Sequence, residues 1–143
     1  MRVYVNETFL ALGLTLTAPR PGDAGYDLYA VETLQIVPGG RGLIPTGVHV
    51  EIPEGYVGLV KDRSSMALKG LHTMAGVVDA GYRGEIKIVL LNTTGEPVTI
   101  DAGQKVAQMI VVPVYTQALE TVESLEALSA TERGAGGFGS TGR

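Results

Sequence analysis

The sequence predicts an all-β domain, an antiparallel sandwich or barrel, and two observations carry that prediction. Short β-branched runs recur between glycine and proline punctuation, and glycine is abundant, at 20 residues, beside only 2 Phe, 6 Tyr and no Trp. Such a pattern of many short strands belongs to sandwiches and barrels. At 143 residues the chain has room for one hydrophobic core and lacks the length for two.

The runs are, in order, Arg2 to Val5, Leu34 to Val37, Gly47 to Ile52, Gly55 to Val60, Glu85 to Asn92 and Lys105 to Tyr115. Within the fifth, Ile86, Ile88 and Leu90 share one face, while the other begins polar and turns apolar at Val89 and Leu91. That strand is expected to leave a one-sided surface and enter a two-sided core. From Val106 to Tyr115 both faces are apolar except at Gln108. In so small a domain a doubly buried strand is most easily supplied by oligomerisation, so a subunit interface is expected there.

Residues Gln117 to Leu128 fit two patterns. Leu119, Val122, Leu125 and Leu128 recur at helical spacing, while Leu119 to Glu123 also reads as a polar edge strand. From Thr131 the apolar content falls away and the chain closes on a glycine-rich stretch, which cannot bury enough surface to fold alone. The expected division is therefore a β domain over 1–130 and a mobile arm over 131–143.

Composition excludes several chemistries. A net charge of −4 argues against gripping a nucleic-acid backbone, which requires a Lys/Arg excess to displace counterions, although a few local cations can still hold a free nucleotide. There is no cysteine, hence no disulfide, thiolate nucleophile or Cys-based metal site. The start, Met1-Arg2-Val3-Tyr4, lacks the features of a secretory signal, and no apolar run approaches a membrane span, so a soluble cytoplasmic protein is expected.

Several segments have the composition of a nucleotide site. The arm combines glycines with Arg133, Ser140 and Thr141, offering approachable N–H groups, hydroxyls and a cation to a polyphosphate. Phe138 stands among those glycines with nothing apolar beside it, which suits stacking on a base; by composition the same stretch also reads as a disordered tail. Asp62 to Gly70 places Arg63, Ser64 and Ser65 at what looks like a helix start, readable as an anion site or as an ordinary Ser N-cap. Asp27 and Asp79 each lie close to Gly and Tyr and read either as turn residues, which spacing alone favours, or as functional carboxylates; in the functional reading Asp79, after its apolar positions, faces a partly dry pocket as a base toward water. Gln108, polar inside an apolar strand, must be hydrogen-bonded whatever its role.

Taken together and in order, these segments resemble the five motifs of the trimeric dUTPase family. Ala24 to Ala30 is similar to the first motif, Arg63 to Ala67 to the second, Gly76 to Gly84 to the third, Gly103 to Ile110 to the fourth and Arg133 to Gly142 to the fifth. The resemblance implies a distorted jelly-roll barrel, a homotrimer with shared active sites, and Mg²⁺-assisted hydrolysis of dUTP to dUMP and diphosphate, which limits uracil incorporation into DNA and supplies dUMP for thymidylate synthesis.

Residue by residue, it makes Asp79 the general base and sets Tyr82 against the deoxyribose, with backbone groups of Gly76 and Val78 reading uracil. It gives Arg63, Ser64 and Ser65 to the phosphates, and Gln108 to the phosphate or the nucleophilic water. Asp27 is placed on water bound to Mg²⁺. The arm of a neighbouring subunit then stacks Phe138 on uracil and brings Arg133, Gly139, Ser140 and Thr141 to the γ-phosphate.

The second motif usually reads Pro-Arg-Ser-Gly, whereas here Asp62 replaces the proline and Ser65 the glycine. The third has Ala80-Gly81 where an acidic residue is common. The dCTP deaminases share the implied fold and trimer, but the position aligned with their catalytic glutamate is Val89. A nucleotide-sensing trimer that binds a protein partner is the remaining alternative.

Overall fold

A computed structural model describes residues 1–136. Among them the chain forms eleven short strands and two short helices: β1 (Arg2–Val5), α1 (Glu7–Ala11), β2 (Tyr26–Tyr29), β3 (Leu34–Ile36), β4 (Arg41–Pro45), β5 (Val48–Glu51), β6 (Tyr56–Asp62), α2 (Ser64–Leu68), β7 (Leu71–Met74), β8 (Val77–Val78), β9 (Lys87–Asn92), β10 (Val98–Ile100) and β11 (Lys105–Pro113). Every pairing is antiparallel. The larger sheets run β2-β11-β6-β8 and β4-β9-β7, flanked by the ribbons β1-β5 and β10-β3. The all-β expectation holds.

The core lies between the sheets. Leu28, Ile44, Val48, Ile88, Leu90, Ile100, Val106 and Met109 are almost fully buried, joined by Phe9 from α1 and Met66 from α2. Complete burial of one such Leu or Ile is worth about 1.5–3 kcal/mol, so these inward positions fix strand register. Ile86, Ile88 and Leu90 face inward as expected, while Val89 and Leu91 are half-buried.

Asn92 continues the inward face of β9 and is fully buried. Its Nδ2 donates to Ile36 O at 3.0 Å and Glu96 O at 2.8 Å, and its Oδ1 accepts from Thr94 N at 2.9 Å and Thr94 Oγ1 at 2.7 Å. A buried amide is tolerable only when its donors and acceptors are matched in this way.

Strand limits differ from the sequence reading for local reasons. β5 starts at Val48 because Gly47 has φ +68°, and β3 stops at Ile36 because Gly40 N turns back onto Val37 O at 2.9 Å. β9 starts at Lys87, since Ile86 N donates to Val48 O at 2.8 Å and the Glu85 carboxylate accepts from Gly47 N at 2.8 Å. Those two residues serve β5 instead of the β4 ladder. β11 ends at Pro113.

Residues 117–128 form neither the helix nor the edge strand. They are irregular apart from a 3₁₀ turn at Leu125–Ala127. Leu119 and Leu125 are exposed, at 94% and 77%, so among the described residues no apolar surface of the same chain selects either form.

Candidate active site

α2 interrupts the β pattern directly after β6, and Arg63 occupies its N-cap position with extended φ/ψ of −85° and 139°. The serines are therefore the first two helical residues, and the alternative of an ordinary Ser N-cap does not hold. Met66 N and Ala67 N both donate to Arg63 O, at 2.9 and 3.0 Å. Ser64 and Ser65 are exposed.

Arg63 Nε lies 3.1 Å from Asp27 Oδ1, and Lys105 Nζ lies 2.7 Å from Asp27 Oδ2. Asp27 is thus a strand residue, on β2, and not a turn residue. It compensates two cations at once, and its carboxylate holds the Lys105 ammonium above the ordinary lysine value, by hydrogen bond first and charge second. All three groups keep solvent access, so the pairs themselves stabilise the fold by no more than about 1 kcal/mol each.

Sequence reasoning missed Lys105. Strict alternation sets residues 105 and 108 on opposite faces of a strand. The register against β2 runs Lys105 to Tyr29, then Ala107 to Leu28 and Gln108 to Asp27, so a β-bulge adds one residue and carries Lys105 round to the Asp27 side. A lysine three residues before Gln108 was the available signal, but a bulge leaves no mark in residue spacing.

Gln108 is half-buried, and its Nε2 donates to Asp62 O at 3.0 Å. The expected hydrogen bond is present. Asp62 in turn accepts from Thr73 N and Thr73 Oγ1 at 2.6 and 2.5 Å and meets His72 Nδ1 at 2.7 Å. Partial burial raises the Asp62 carboxyl, but these bonds outweigh it and hold it below the ordinary aspartate value.

Gly76, Val78, Asp79 and Tyr82 form a second group, lining a cleft of about 240 Å³ on the hairpin between β7 and β9. Ala75 and Gly76 carry φ values of 59° and 103°, and a Cβ on Gly76 would stand 2.9 Å from Val60 O, so only glycine fits. Asp79 O accepts from Tyr82 N at 3.0 Å, and Tyr82 Oη donates to Glu85 O at 2.9 Å, locking the ring over Gly84.

Val78 is buried, whereas Asp79 and Tyr82 are exposed. The expectation of a partly dry pocket at Asp79 does not hold for a single chain, because nothing in this chain covers that edge of the hairpin among the described residues.

Of the arm residues, Arg133 folds back to donate from Nε to Gly136 O at 2.9 Å; Phe138, Gly139, Ser140 and Thr141 lie outside the described residues. Val89, on β9, pairs with Leu43 and Met74, so the strand position aligned with the deaminase glutamate is apolar. Among the described residues no cluster of three or more His, Asp or Glu side chains converges as a metal cage. No helix among the described residues is long and apolar enough to cross a membrane.

Residues 14–142 match the dUTPase family model. A deoxyuridine 5'-triphosphate nucleotidohydrolase of Cutibacterium acnes is 48% identical over 126 residues, covering 85% of this chain and 81% of that protein. The solved structure of the Staphylococcus bacteriophage 80alpha dUTPase with dUPNHPP superposes with a TM-score of 0.87 at 31% identity, covering 99% of this chain and 98% of that one. A mutant dUTPase from phage phi11 of S. aureus, solved with a structural Mg(II) ion, gives a TM-score of 0.77 at 31% identity, with 87% and 97% covered.

Proposed function

The chain belongs to the dUTPase family, and from that premise we propose how its two residue groups divide the hydrolysis of dUTP to dUMP and diphosphate. The observation that carries the proposal is the pairing of Arg63 and Lys105 with Asp27, beside its cross-strand partner Gln108, a compact donor set suited to an anionic chain.

Arg63, with the hydroxyls and N–H groups of Ser64 and Ser65, holds the α- and β-phosphates. Gln108, fixed by Asp62 O, orients the phosphate or the attacking water. On the hairpin, the Gly76 and Val78 backbone reads the uracil edge, and the Tyr82 ring, held by Glu85 O, leaves no room for a 2′-hydroxyl. Asp79 takes the proton of the water that attacks phosphorus, and its exposed position suits a base that must meet solvent before substrate closes over it. Asp27 would hold Mg²⁺ through the ion's bound water, and the ion would supply neutralising charge to the phosphates.

We assign residues 1–130 to the β domain and 131–143 to an arm that closes over the site of a neighbouring subunit in a cytoplasmic homotrimer. Phe138 covers uracil, and Arg133, Gly139, Ser140 and Thr141 reach the γ-phosphate. The exposure of Val114, Tyr115, Leu119 and Leu125 in a single chain supports subunit contact along that stretch. Closure excludes water and aligns the triphosphate for in-line attack.

The test is a substrate panel of dUTP, UTP, dTTP and dCTP, followed for diphosphate and ammonia. Diphosphate release with strong preference for dUTP is expected. Equal turnover of dCTP would sink the reading, and ammonia from dCTP would turn it toward deamination, which Val89 argues against.

A further inference from the structure

Asp62 closes β6 and immediately precedes Arg63. Its main chain belongs to the β2-β11-β6-β8 sheet, opposite Ala107 of β11, and its carbonyl holds the Gln108 amide at 3.0 Å. Its side chain reaches the other large sheet. There Oδ1 accepts from both the N–H and the hydroxyl of Thr73, at 2.6 and 2.5 Å, and Oδ2 meets His72 Nδ1 at 2.7 Å.

Thr73 is buried, with 9% of its surface exposed, so its hydroxyl has little access to water as an alternative partner. Breaking that bond leaves a poorly solvated polar group, which gives the contact its strength. α2 spans the connection between β6 and β7. The Asp62 carboxylate therefore closes the β6–α2–β7 unit at its base, at the residue before Arg63.

The dUTPase second motif usually has proline at this point. A proline ring fixes φ by covalent restraint, which an aspartate cannot do. In this chain the same position is held by tertiary hydrogen bonds instead.

We propose that Asp62 is a positioning residue for triphosphate binding: by tying β6 to β7 it sets where Arg63, the serines of α2 and the Gln108 amide stand. The proposal rests on the reading of Arg63 and Gln108 as phosphate-facing groups. Diphosphate release from dUTP by the unaltered protein tests that reading separately and is measured first.

The variants are Asp62→Ala, Asp62→Asn and Thr73→Val. The ligands are deoxyuridine, which engages the hairpin alone, and the imido analogue dUpNHpp carried by the phage relatives. Asp62→Ala is expected to bind dUpNHpp about tenfold more weakly while deoxyuridine affinity stays unchanged. Asp62→Asn, which keeps an acceptor for Thr73, recovers most of the loss, and KM for dUTP rises more than kcat falls.

An Asp62→Ala variant with unaltered affinity for dUpNHpp overturns the proposal. So does a parallel loss for both ligands, which marks a general structural role. Should Asp62→Ala not fold, Thr73→Val decides: a severalfold loss confined to dUpNHpp supports the proposal, and no change overturns it.

Discussion

Gly25 stands so close to Gln108 that a Cβ built there would lie 2.5 Å from Oε1 and 3.1 Å from the Gln108 Cβ. The glycine is favoured by this approach and not by backbone conformation, since its φ is not positive, and the group a methyl would displace is the movable amide end of Gln108. A methyl group at 25 forces the amide away from Asp62 O. Gly25→Ala should therefore lower kcat/KM for dUTP by about a hundredfold, as misplacement of a positioning group commonly does. Thermal unfolding should move little; unchanged kinetics would show that Gln108 can re-seat.

Asp79 is assigned as the base, so Asp79→Asn should bind dUpNHpp with near-normal affinity and turn over dUTP at least about a hundredfold more slowly. Calorimetric binding beside single-turnover kinetics separates the two. Normal turnover would remove Asp79 from the role.

Truncation before Thr131 should leave the fold intact, because the buried apolar core ends at Met109 and nothing beyond Pro113 joins a strand ladder among the described residues. Hydrolysis should fall by about a hundredfold or more with loss of closure. Denaturant unfolding and diphosphate release are the paired measurements, and a truncated chain that fails to fold contradicts the assignment of an arm.

Asn92→Ala strips partners from Ile36 O, Glu96 O, Thr94 N and Thr94 Oγ1 at one buried point. About 2–3 kcal/mol of stability should be lost, near the upper end for unsatisfied buried groups. Urea midpoints would report it.

Asp62 is held below its ordinary pKa by Thr73 and His72 against the opposing effect of partial burial. A depressed folded-state value contributes stability that is present above the unfolded value of about 3.9 and is lost as pH falls through the folded one. The stability difference between the unaltered protein and Asp62→Asn should therefore be constant near neutrality and shrink below about pH 4. A difference that stays flat to about pH 3 would show that the carboxylate charge does not matter there.

Much of the fold was legible because its causes are local. Alternation in Ile86, Ile88 and Leu90 fixed one inward face before any partner strand was known. β2, β4, β7, β8 and β10 were not legible, since each is a short segment whose ladder comes entirely from distant residues. For residues 117–128 the helical spacing was real, but no surface of the chain receives it among the described residues.

By itself the sequence determined the β class, the absence of cysteine chemistry and the need of Gln108 for a partner. Each is a property of a segment or of composition. Only the tertiary structure decided that Asp27 stands between Arg63 and Lys105, that a bulge turns Lys105 toward it, that Asp62 ties β6 to β7, and that Asp79 is exposed. Those facts depend on register between strands far apart in the chain, where a shift of one residue moves a side chain to the opposite face.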